Sequence, residues 1–303
     1  MQSNTPRTTI TTMKLSFVIP AYNEEHYVGE CLDSIIAQKK ALPQYDIEII
    51  VVNNASTDGT ADVVKKYASA AAGGVRLVDE RAKGLVRARR AGFLASSGNL
   101  IANVDSDSRL TPGWIEKVMT AFANDSKLVA FSGPFIYYDA PRSVRISTRI
   151  FYYLGYISYL FNRFILRSGS MLQGGNFVVR RDALQKIGGY DTNISFYGED
   201  TDIARRMTAV GHVTFTFDLP MYSSGRRLAK EGGLTIGLRY ALNYFWELIF
   251  KKPFSADYTD VRLTNKNEVV YNPENKKKEW MIGTGLILIL IIIIVAIYFI
   301  YKG

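Results

Sequence analysis

The amino-acid sequence predicts an α/β fold with a mostly parallel sheet, followed by one membrane-spanning helix near the C-terminus. Two observations predict this architecture. Apolar strand segments alternate with helical segments through the first hundred residues, which is typical of a parallel sheet covered by helices on both faces. A long apolar run without a charge then lies near the end of the sequence.

The predicted elements follow in a regular order. Strands are predicted at residues 14–20, 47–52, 75–78 and 100–104, and helices at about residues 28–36, 60–71 and 84–96. Ligands of such sheets bind beyond the carboxyl ends of the strands. The polar segments that follow three of the strands, at residues 20–24, 53–58 and 105–107, are therefore predicted to converge on one rim.

Composition narrows the class of partner. The chain has 303 residues and a formal net charge of +9, so it can bury a sizeable core and favours a negatively charged partner. The basic residues are not gathered beside a nucleic-acid-reading motif, which favours lipid or phosphate over DNA or RNA. Cys31 is the single cysteine, so no intrachain disulfide can form.

Four regions are predicted along the chain. Residues 1–12 are rich in Thr and Ser and are expected to form a disordered leader, and residues 13–230 form the α/β domain. Residues 231–280 are expected to form an amphipathic or interfacial helix and a polar linker. Residues 281–301 carry no charge, and 21 helical residues at about 1.5 Å each span a bilayer core of about 30 Å.

The charges that flank this run predict its orientation. Three lysines at residues 276–278 precede it and only Lys302 follows it. The positive-inside rule then places the large N-terminal part on the cytoplasmic side of the membrane, as a single-pass protein with a C-terminal anchor.

Two further segments are candidates for membrane contact. Residues 142–167 contain five arginines and no acidic residue around an aromatic stretch, and residues 234–252 form a second aromatic helix candidate. Each can pack on the core of the domain or lie in the lipid headgroup layer, and the sequence leaves both alternatives open.

An acidic pair follows the last predicted strand. Asp105 and Asp107 are two residues apart, and on an extended strand they would point to the same side. Two carboxylates there could hold Mg²⁺ or Mn²⁺, which prefer oxygen ligands. The alternative is a turn with solvated or capping aspartates.

A second acidic group lies at the start of a predicted helix. Glu199, Asp200 and Asp202 follow a glycine turn. In one interpretation these acids interact favourably with the helix dipole, and Asp202 pairs with Arg205 or Arg206. Alternatively, one carboxylate is a general base that takes a proton from an acceptor hydroxyl.

Two more features admit alternatives. Arg226 and Arg227 follow a glycine and could clamp a phosphate, contact lipid headgroups or be solvated. His212 follows the acidic helix and is assigned a structural role in preference to that of a metal ligand.

Taken together, the motifs resemble those of the family 2 glycosyltransferases. Five segments occur in the order found in that family, namely residues 17–25, 53–60, 84–92, 105–107 and 198–200. The resemblance covers about residues 14–225. It implies the GT-A fold, a Rossmann-like sheet in which nucleotide and acceptor halves are fused into one domain.

The resemblance also implies a set of site residues. A nucleotide-sugar donor would contact Pro20, Ala21, Tyr22, Glu24, Asn53, Asp58, Lys83, Arg87, Asp105, Ser106, Arg226 and Arg227. A divalent cofactor, Mn²⁺ or Mg²⁺, would be held by Asp107 with Asp105 as its companion. The acceptor would lie at Gly174, Gly175 and Asn176.

One departure from the family pattern concerns the nucleotide base. Asn53 stands where an aspartate usually reads the base, commonly uracil. An amide offers both a donor and an acceptor. Uridine is therefore expected, and guanosine and thymidine stay open.

The implied reaction is a single displacement with inversion. Asp200 would be the general base, with Glu199 contacting the sugar or the acceptor. The Gln-x-x-Arg-Trp motif of processive synthases is absent from the sequence, which indicates addition of one sugar at a time. The expected acceptor is a hydroxyl or phosphate on a lipid-linked molecule or glycan, with membrane lipids as partners and no nucleic acid.

Other classes of protein fit the sequence less well. A non-catalytic relative that binds nucleotide-sugar or lipid is the main alternative. A dinucleotide-dependent oxidoreductase would carry Gly-x-Gly-x-x-Gly after the first strand, and a sugar nucleotidyltransferase would carry a glycine-rich loop there. Residues 20–24, Pro-Ala-Tyr-Asn-Glu, match neither pattern.

Overall fold

The computed structural model describes residues 13–69, 71–161, 171–194, 198–233, 235–237 and 239–240. The strands within these ranges are β1 (Leu15–Ala21), β2 (Ile47–Asn53), β3 (Val75–Asp79), β4 (Leu100–Val104), β5 (Ser108–Leu110), β6 (Leu128–Ser132), β7 (Phe135–Tyr137), β8 (Asn176–Arg180), β9 (His212–Phe215) and β10 (Met221–Ser223). The helices are α1 (Val28–Ala41), α2 (Thr60–Lys65), α3 (Leu85–Ala95), α4 (Trp114–Asn124), α5 (Arg142–Phe161), α6 (Arg181–Lys186), α7 (Glu199–Thr208) and α8 (Arg226–Glu231).

The described strands form one large sheet and one small sheet. The large sheet has seven strands in the order β3-β2-β1-β4-β8-β6-β9. Its strands are parallel except β8, which runs antiparallel to both β4 and β6. Strands β5, β10 and β7 form the small sheet. The predicted mostly parallel α/β fold is therefore confirmed.

Helices cover both faces of the large sheet because its interior strand β1 is apolar on both sides. All seven residues of β1 are buried. Phe17 and Ile19 belong to the core beneath α1 and α4, whereas Val18 belongs to the core beneath α3 and α7. This division follows from the alternation of side chains along a strand. Trp114 of α4 packs its ring 5.8 Å from that of Phe17.

One helix is shorter than the sequence predicts. The segment predicted as helical over residues 60–71 ends its helix, α2, at Lys65. A turn replaces the continuation, in which Ser69 accepts the backbone N–H of Ala72 on its hydroxyl at 3.1 Å. Directly after Lys65, the backbone N–H groups of Tyr67 and Ala68 donate to the carbonyls three residues earlier, a tightened pattern that is common where a helix ends.

A buried amide joins β8 to its surroundings. The side chain of Asn176 is fully buried. Its Oδ1 accepts the indole N–H of Trp114 at 3.1 Å, and its Nδ2 donates to the carbonyls of Gly133 and Leu219, each at 2.9 Å. These bonds fix the start of β8 against α4 and the loops that follow β6 and β9.

Helix α5 packs on the domain with one face and exposes apolar residues on the other. Tyr152 and Tyr159 are buried in the core. The exposed apolar residues are Ile146, Ile150, Phe151, Tyr153, Leu154 and Ile157. Core packing and an available apolar face therefore coexist on this helix, which covers residues 142–161 of the segment predicted over 142–167.

Several predicted regions lie outside the described residues. These are the leader at residues 1–12, most of the second aromatic segment at 234–252, the linker up to residue 280 and the spanning helix at 281–301. Within the described ranges, no helix has the length and apolarity that crossing a bilayer requires.

Replacing Asn176 with alanine tests its structural role. The change leaves the indole N–H of Trp114 and two buried carbonyls without their partner. We expect the free energy of unfolding to fall by at least about 2 kcal/mol, measured by chemical denaturation. Asn124→Ala on the exposed end of α4 is the control and should change stability little. Equal stability of both variants would contradict the role assigned to Asn176.

Candidate active site

Polar segments from several elements meet at one edge of the large sheet. Residues 22–24 follow β1, residues 105–107 follow β4, and Gly174 and Gly175 precede β8. Because β8 is antiparallel to β4, its first residues lie at the edge where β4 ends, with Val104 opposite Asn176. The predicted convergence on one rim is confirmed.

The acidic pair occupies a turn rather than an extended strand. Strand β4 ends at Val104, and the backbone N–H of Ser108 donates to the carbonyl of Asp105 at 3.0 Å. The strand argument for the two side chains was therefore wrong. Each carboxylate has its own guanidinium partner, with Asp105 3.1 Å from Arg89 and Asp107 3.0 Å from Arg226.

Arg89 is a central residue of the site that the sequence analysis missed. Its side chain, on α3, is only 1% exposed. One guanidinium nitrogen donates to Glu199 at the start of α7, and the other donates to Asp105 after β4. Burial of a charge is costly unless it is paired and hydrogen-bonded. Arg89 therefore fixes these two carboxylates relative to each other.

A sequence signal for Arg89 exists. It lies three residues after Val86 and four before Phe93, both of which are buried on α3. A charged residue at a position on the apolar face of a helix is expected to be buried, and it therefore indicates a buried partner of opposite charge. Arg87, which was predicted to contact the nucleotide-sugar, is exposed on the same helix.

The predicted general base is held by backbone N–H groups. Asp200 accepts the N–H of Gly174 at 3.0 Å on Oδ2 and the N–H of Thr201 at 2.8 Å on Oδ1. Burial raises the pKa of the Asp200 carboxyl, against the opposing effects of these hydrogen bonds and of the positive charge on Arg89. A fixed carboxylate with a raised pKa has the properties of a general base.

Glycine is required beside these carboxylates. Gly175 has a φ of +82°, and a Cβ there would lie 2.1 Å from Oδ2 of Asp105. A Cβ on Gly174 would lie 3.2 Å from Oδ2 of Asp200. Both glycines thus let the backbone approach the two acids, at the position where the acceptor was predicted.

The side chains of Asn176 and Asp202 have structural roles. Asn176 was predicted to contact the acceptor, but its side chain is fully buried and its donors and acceptor are engaged in the scaffold. Asp202 accepts from Arg205 at 2.7 Å and from Arg206 at 2.8 Å. The interpretation of Asp202 as a helix ion-pair partner is therefore confirmed.

The side of the rim at β2 and β3 carries a polar pair. The amide of Asn53 donates to the carboxylate of Asp79 at 2.8 Å, and the two residues lie opposite each other at the ends of neighbouring strands. Lys83 lies 4.0 Å from the ring centre of Tyr22. Asp79 was not predicted, although its place at the end of a parallel strand is a usable signal.

The loop after β1 is tied to the start of α2. Asp58 accepts the backbone N–H of Glu25 at 3.2 Å and that of Thr60 at 3.0 Å, and Thr60 accepts the N–H of Glu24 at 2.7 Å. Asp58 therefore shapes the loop that presents Glu24. Three further residues predicted for the donor site are buried. Pro20 and Ala21 belong to β1, and Ser106 lies in the turn between Asp105 and Asp107.

The structure separates the two arginines that the sequence treats as a pair. Arg226 donates to Glu24 at 2.6 Å, lies 3.0 Å from Asp107 and stacks over Tyr27 at 4.7 Å. The two carboxylates hold the pKa of Arg226 above its ordinary value, against the opposing effect of burial. Arg227 donates instead to Glu231 of its own helix at 2.8 Å.

His212 lies at the end of the sheet that is opposite the acidic rim. It begins β9 and is aligned with Leu128 at the start of β6, whereas the rim is at the other end of β6. Its Nδ1 is 2.9 Å from Asp125. This position supports a structural role and removes His212 as a ligand of a metal at the rim.

The donor set of the rim fits a divalent cation that also binds substrate. Among the described residues, no three His, Cys, Asp or Glu side chains are grouped to hold a metal by themselves. Burial raises the pKa of Asp107, and the neighbouring charge of Asp105 adds to this effect against that of Arg226. Two adjacent carboxylates suit a hard cation, provided that the substrate supplies further oxygen ligands.

The sheet and its acidic rim define a glycosyltransferase of the GT-A class. The model of the family described as Glycosyl transferase family 2 matches residues 16–188, and the chain belongs to this family. The glycosyltransferase AglE of Haloferax volcanii is 27% identical over 223 residues, which cover 72% of this chain and 70% of that protein. The probable glycosyltransferase YdaM of Bacillus subtilis is 28% identical over 212 residues, 67% of this chain and 48% of that protein.

Solved structures show the same fold. The mannosyltransferase PcManGT of Pyrobaculum calidifontis, in complex with GDP-Man and Mn²⁺, aligns with a TM-score of 0.62 at 19% identity, over 82% of this chain and 67% of that one. Glucosyl-3-phosphoglycerate synthase of Mycobacterium tuberculosis, with Mn²⁺ and UDP-glucose, aligns with a TM-score of 0.51 at 19% identity, over 78% of each chain.

Substituting Arg89 tests the central ion-pair network. Arg89→Gln leaves Glu199 and Asp105 without their shared cation, and removing one partner of a buried pair costs about 3–5 kcal/mol. We expect a loss of this size in the free energy of unfolding, measured in urea. Arg90→Gln, on the exposed face of α3, is the matched control. A similar small effect of both changes would contradict the network.

Proposed function

We propose that this chain transfers one sugar from a nucleotide-sugar donor to an acceptor hydroxyl or phosphate, with inversion at the anomeric carbon. The observation that carries the proposal is the fixed position of Asp200. Gly174 and Thr201 hold both of its oxygens. Its neighbour Glu199 is joined through Arg89 to Asp105 on the donor side.

In the proposed step, an acceptor oxygen attacks the anomeric carbon while the bond from that carbon to the donor phosphate oxygen breaks. The proton of an acceptor hydroxyl passes to Asp200, and the nucleoside diphosphate leaves. The raised pKa of Asp200 makes it a stronger proton acceptor than an ordinary aspartate. Glu199 stays paired with Arg89 and positions the acceptor side of the site.

A divalent cation, Mn²⁺ or Mg²⁺, would be held by Asp107 and its companion Asp105, and would supply positive charge for the departing diphosphate. Carboxylate oxygens are suitable ligands for either ion. The mannosyltransferase and the glucosyl-3-phosphoglycerate synthase that share the fold were solved with Mn²⁺.

The nucleotide base would lie against Asn53 and Asp79. A carboxylate beside an amide donor can accept the imide N–H of uracil while the amide donates to a neighbouring carbonyl. The same pair can accept the N–H groups of guanine. A uridine diphosphate sugar is our first candidate and a guanosine diphosphate sugar our second, favoured by the spare acceptor capacity of Asp79.

The acceptor is proposed to be lipid-linked. The exposed residues Ile150, Leu154 and Ile157 of α5 share one helix with the exposed arginines Arg142 and Arg145. An apolar face flanked by arginines suits the headgroup layer of an anionic membrane. Residues 281–301 would tether the domain to the cytoplasmic side of that membrane, which is where we place the reaction.

A non-catalytic role is the alternative function. The acidic groups are intact in both halves of the site, and this argues against that alternative.

A donor panel tests the reaction. Wild type and Asp200→Asn would be incubated with UDP- and GDP-sugars, Mn²⁺ or Mg²⁺ and a membrane lipid extract. Because the amide cannot accept the proton, we expect transfer to fall at least about 100-fold with nucleotide binding retained. Equal transfer by both proteins would refute Asp200 as the base, and failure to bind any nucleotide would favour the non-catalytic alternative.

The pH dependence of the reaction follows from the raised pKa of Asp200. The base works when it is deprotonated, so kcat/KM should fall as the pH decreases through that pKa. The fall should occur at a pH above the ordinary aspartate pKa of about 3.9. A pH–rate profile of wild type, with the chain shown to stay folded across the range, measures this limb. A limb at or below the ordinary value would contradict the assignment.

Vesicle binding tests the membrane face of α5. In a chain truncated before residue 281, Ile150→Asp with Ile157→Asp should weaken co-flotation with anionic vesicles by tenfold or more, since burying each isoleucine contributes about 1.5–3 kcal/mol. Leu94→Asp, at an exposed leucine of α3, is the control. A truncated chain that does not bind such vesicles would refute the proposed interface.

A further inference from the structure

We propose that Arg226 occupies the cation position of the site and leaves Asp107 only when the donor diphosphate binds. A divalent cation alone would then bind weakly, and cation and nucleotide would enter together. This inference rests on the proposed role of Asp107 as a metal ligand. It assigns to Arg226 a positioning role that couples the two ligands.

The contacts of Arg226 carry the proposal. Its Nη2 is 2.6 Å from Glu24 and 3.0 Å from Asp107, so that one nitrogen bridges acids from two different loops. The side chain is 8% exposed. A cation that bound Asp107 in this state would compete with the guanidinium for the same carboxylate, at a distance where like charges repel strongly.

A spare donor indicates what draws Arg226 away. Its Nη1 is buried and has no hydrogen-bond partner in the structure. Buried donors of this kind are rare because the unmet hydrogen bond is costly. A diphosphate oxygen beside Asp107 would satisfy this nitrogen, and an arginine suits phosphate geometry. The negative charge of the diphosphate would also compensate for the added cation.

The backbone beneath Arg226 is fixed, so the change would be a movement of its side chain. Asp139 accepts the hydroxyl of Ser224 at 2.6 Å and the backbone N–H of Gly225. The N–H of Ser224 also donates to the carbonyl of Asp107 at 3.2 Å. The start of α8 is thereby anchored to the acidic turn itself.

Metal binding in the absence of turnover tests the proposal. Mn²⁺ affinity of the full chain in detergent would be measured by electron paramagnetic resonance, alone and with saturating UDP or GDP. In wild type, nucleotide should tighten Mn²⁺ binding at least about tenfold, a coupling within the usual range. In Arg226→Gln, Mn²⁺ alone should bind at least about tenfold more tightly than in wild type, with the nucleotide effect reduced.

The matched control is Arg227→Gln, which removes the same charge one residue along the helix, where the side chain pairs with Glu231. It should shift Mn²⁺ affinity much less than Arg226→Gln. Asp107→Asn added to Arg226→Gln should abolish the gain in Mn²⁺ affinity.

Thermal melting establishes that each variant is folded. If Arg226→Gln does not fold, Arg226→Lys replaces it, with a smaller gain expected because a lysine contacts the carboxylates less extensively.

Two failures are distinguishable. A folded Arg226 variant with wild-type Mn²⁺ affinity, or one that matches Arg227→Gln, would overturn the coupling role of Arg226. A wild type that binds nucleotide but never Mn²⁺ or Mg²⁺ would overturn the proposed metal site itself.

Discussion

The active-site rim depends on the buried charge of Arg89. A guanidinium that is 1% exposed is tolerable only with paired acceptors, and Glu199 and Asp105 provide them. These acids belong to α7 and to the turn after β4, so the pairing sets the position of the start of α7 relative to that turn. A shift of α3 would disturb both halves together. The catalytic geometry is in this sense a consequence of one ion-pair network.

The short segment before β8 adapts the backbone to this constraint. Since Arg89 fixes Asp105, Gly175 must pass beside that carboxylate without a Cβ, which would lie 2.1 Å from it. The N–H of Gly174 then reaches Asp200, and Asn176 anchors the segment in the core. The three consecutive residues 174–176 thus serve two carboxylates and the scaffold. This explains why the acceptor contact that was predicted for all three does not extend to the buried side chain of Asn176.

The sequence predicts most of the fold and of the rim because these follow from local patterns. Apolar runs identify β1, β2 and β4, and polar segments after them identify the edge at which the site lies. The pattern of α3 marks Arg89 as a buried charge, but its partner Glu199 is 110 residues away, and no local pattern identifies that partner. The turn at Asp105 was one of two alternatives, and the sequence could not decide between them because the position of β5 depends on pairing with the distant strand β10.

The distribution of charge separates two functions within one basic chain. The chain carries a net charge of +9, yet at the rim two guanidiniums, of Arg89 and Arg226, contact four carboxylates. The excess of carboxylates opposes the binding of a diphosphate unless a cation joins it, and this supports the proposed metal-assisted binding of the donor. The positive excess therefore lies outside these four acidic contacts. Helix α5 begins with an arginine and has no acidic residue from Arg142 to Phe161. The proposed membrane contact and the acidity of the site therefore involve different parts of the domain and do not oppose each other.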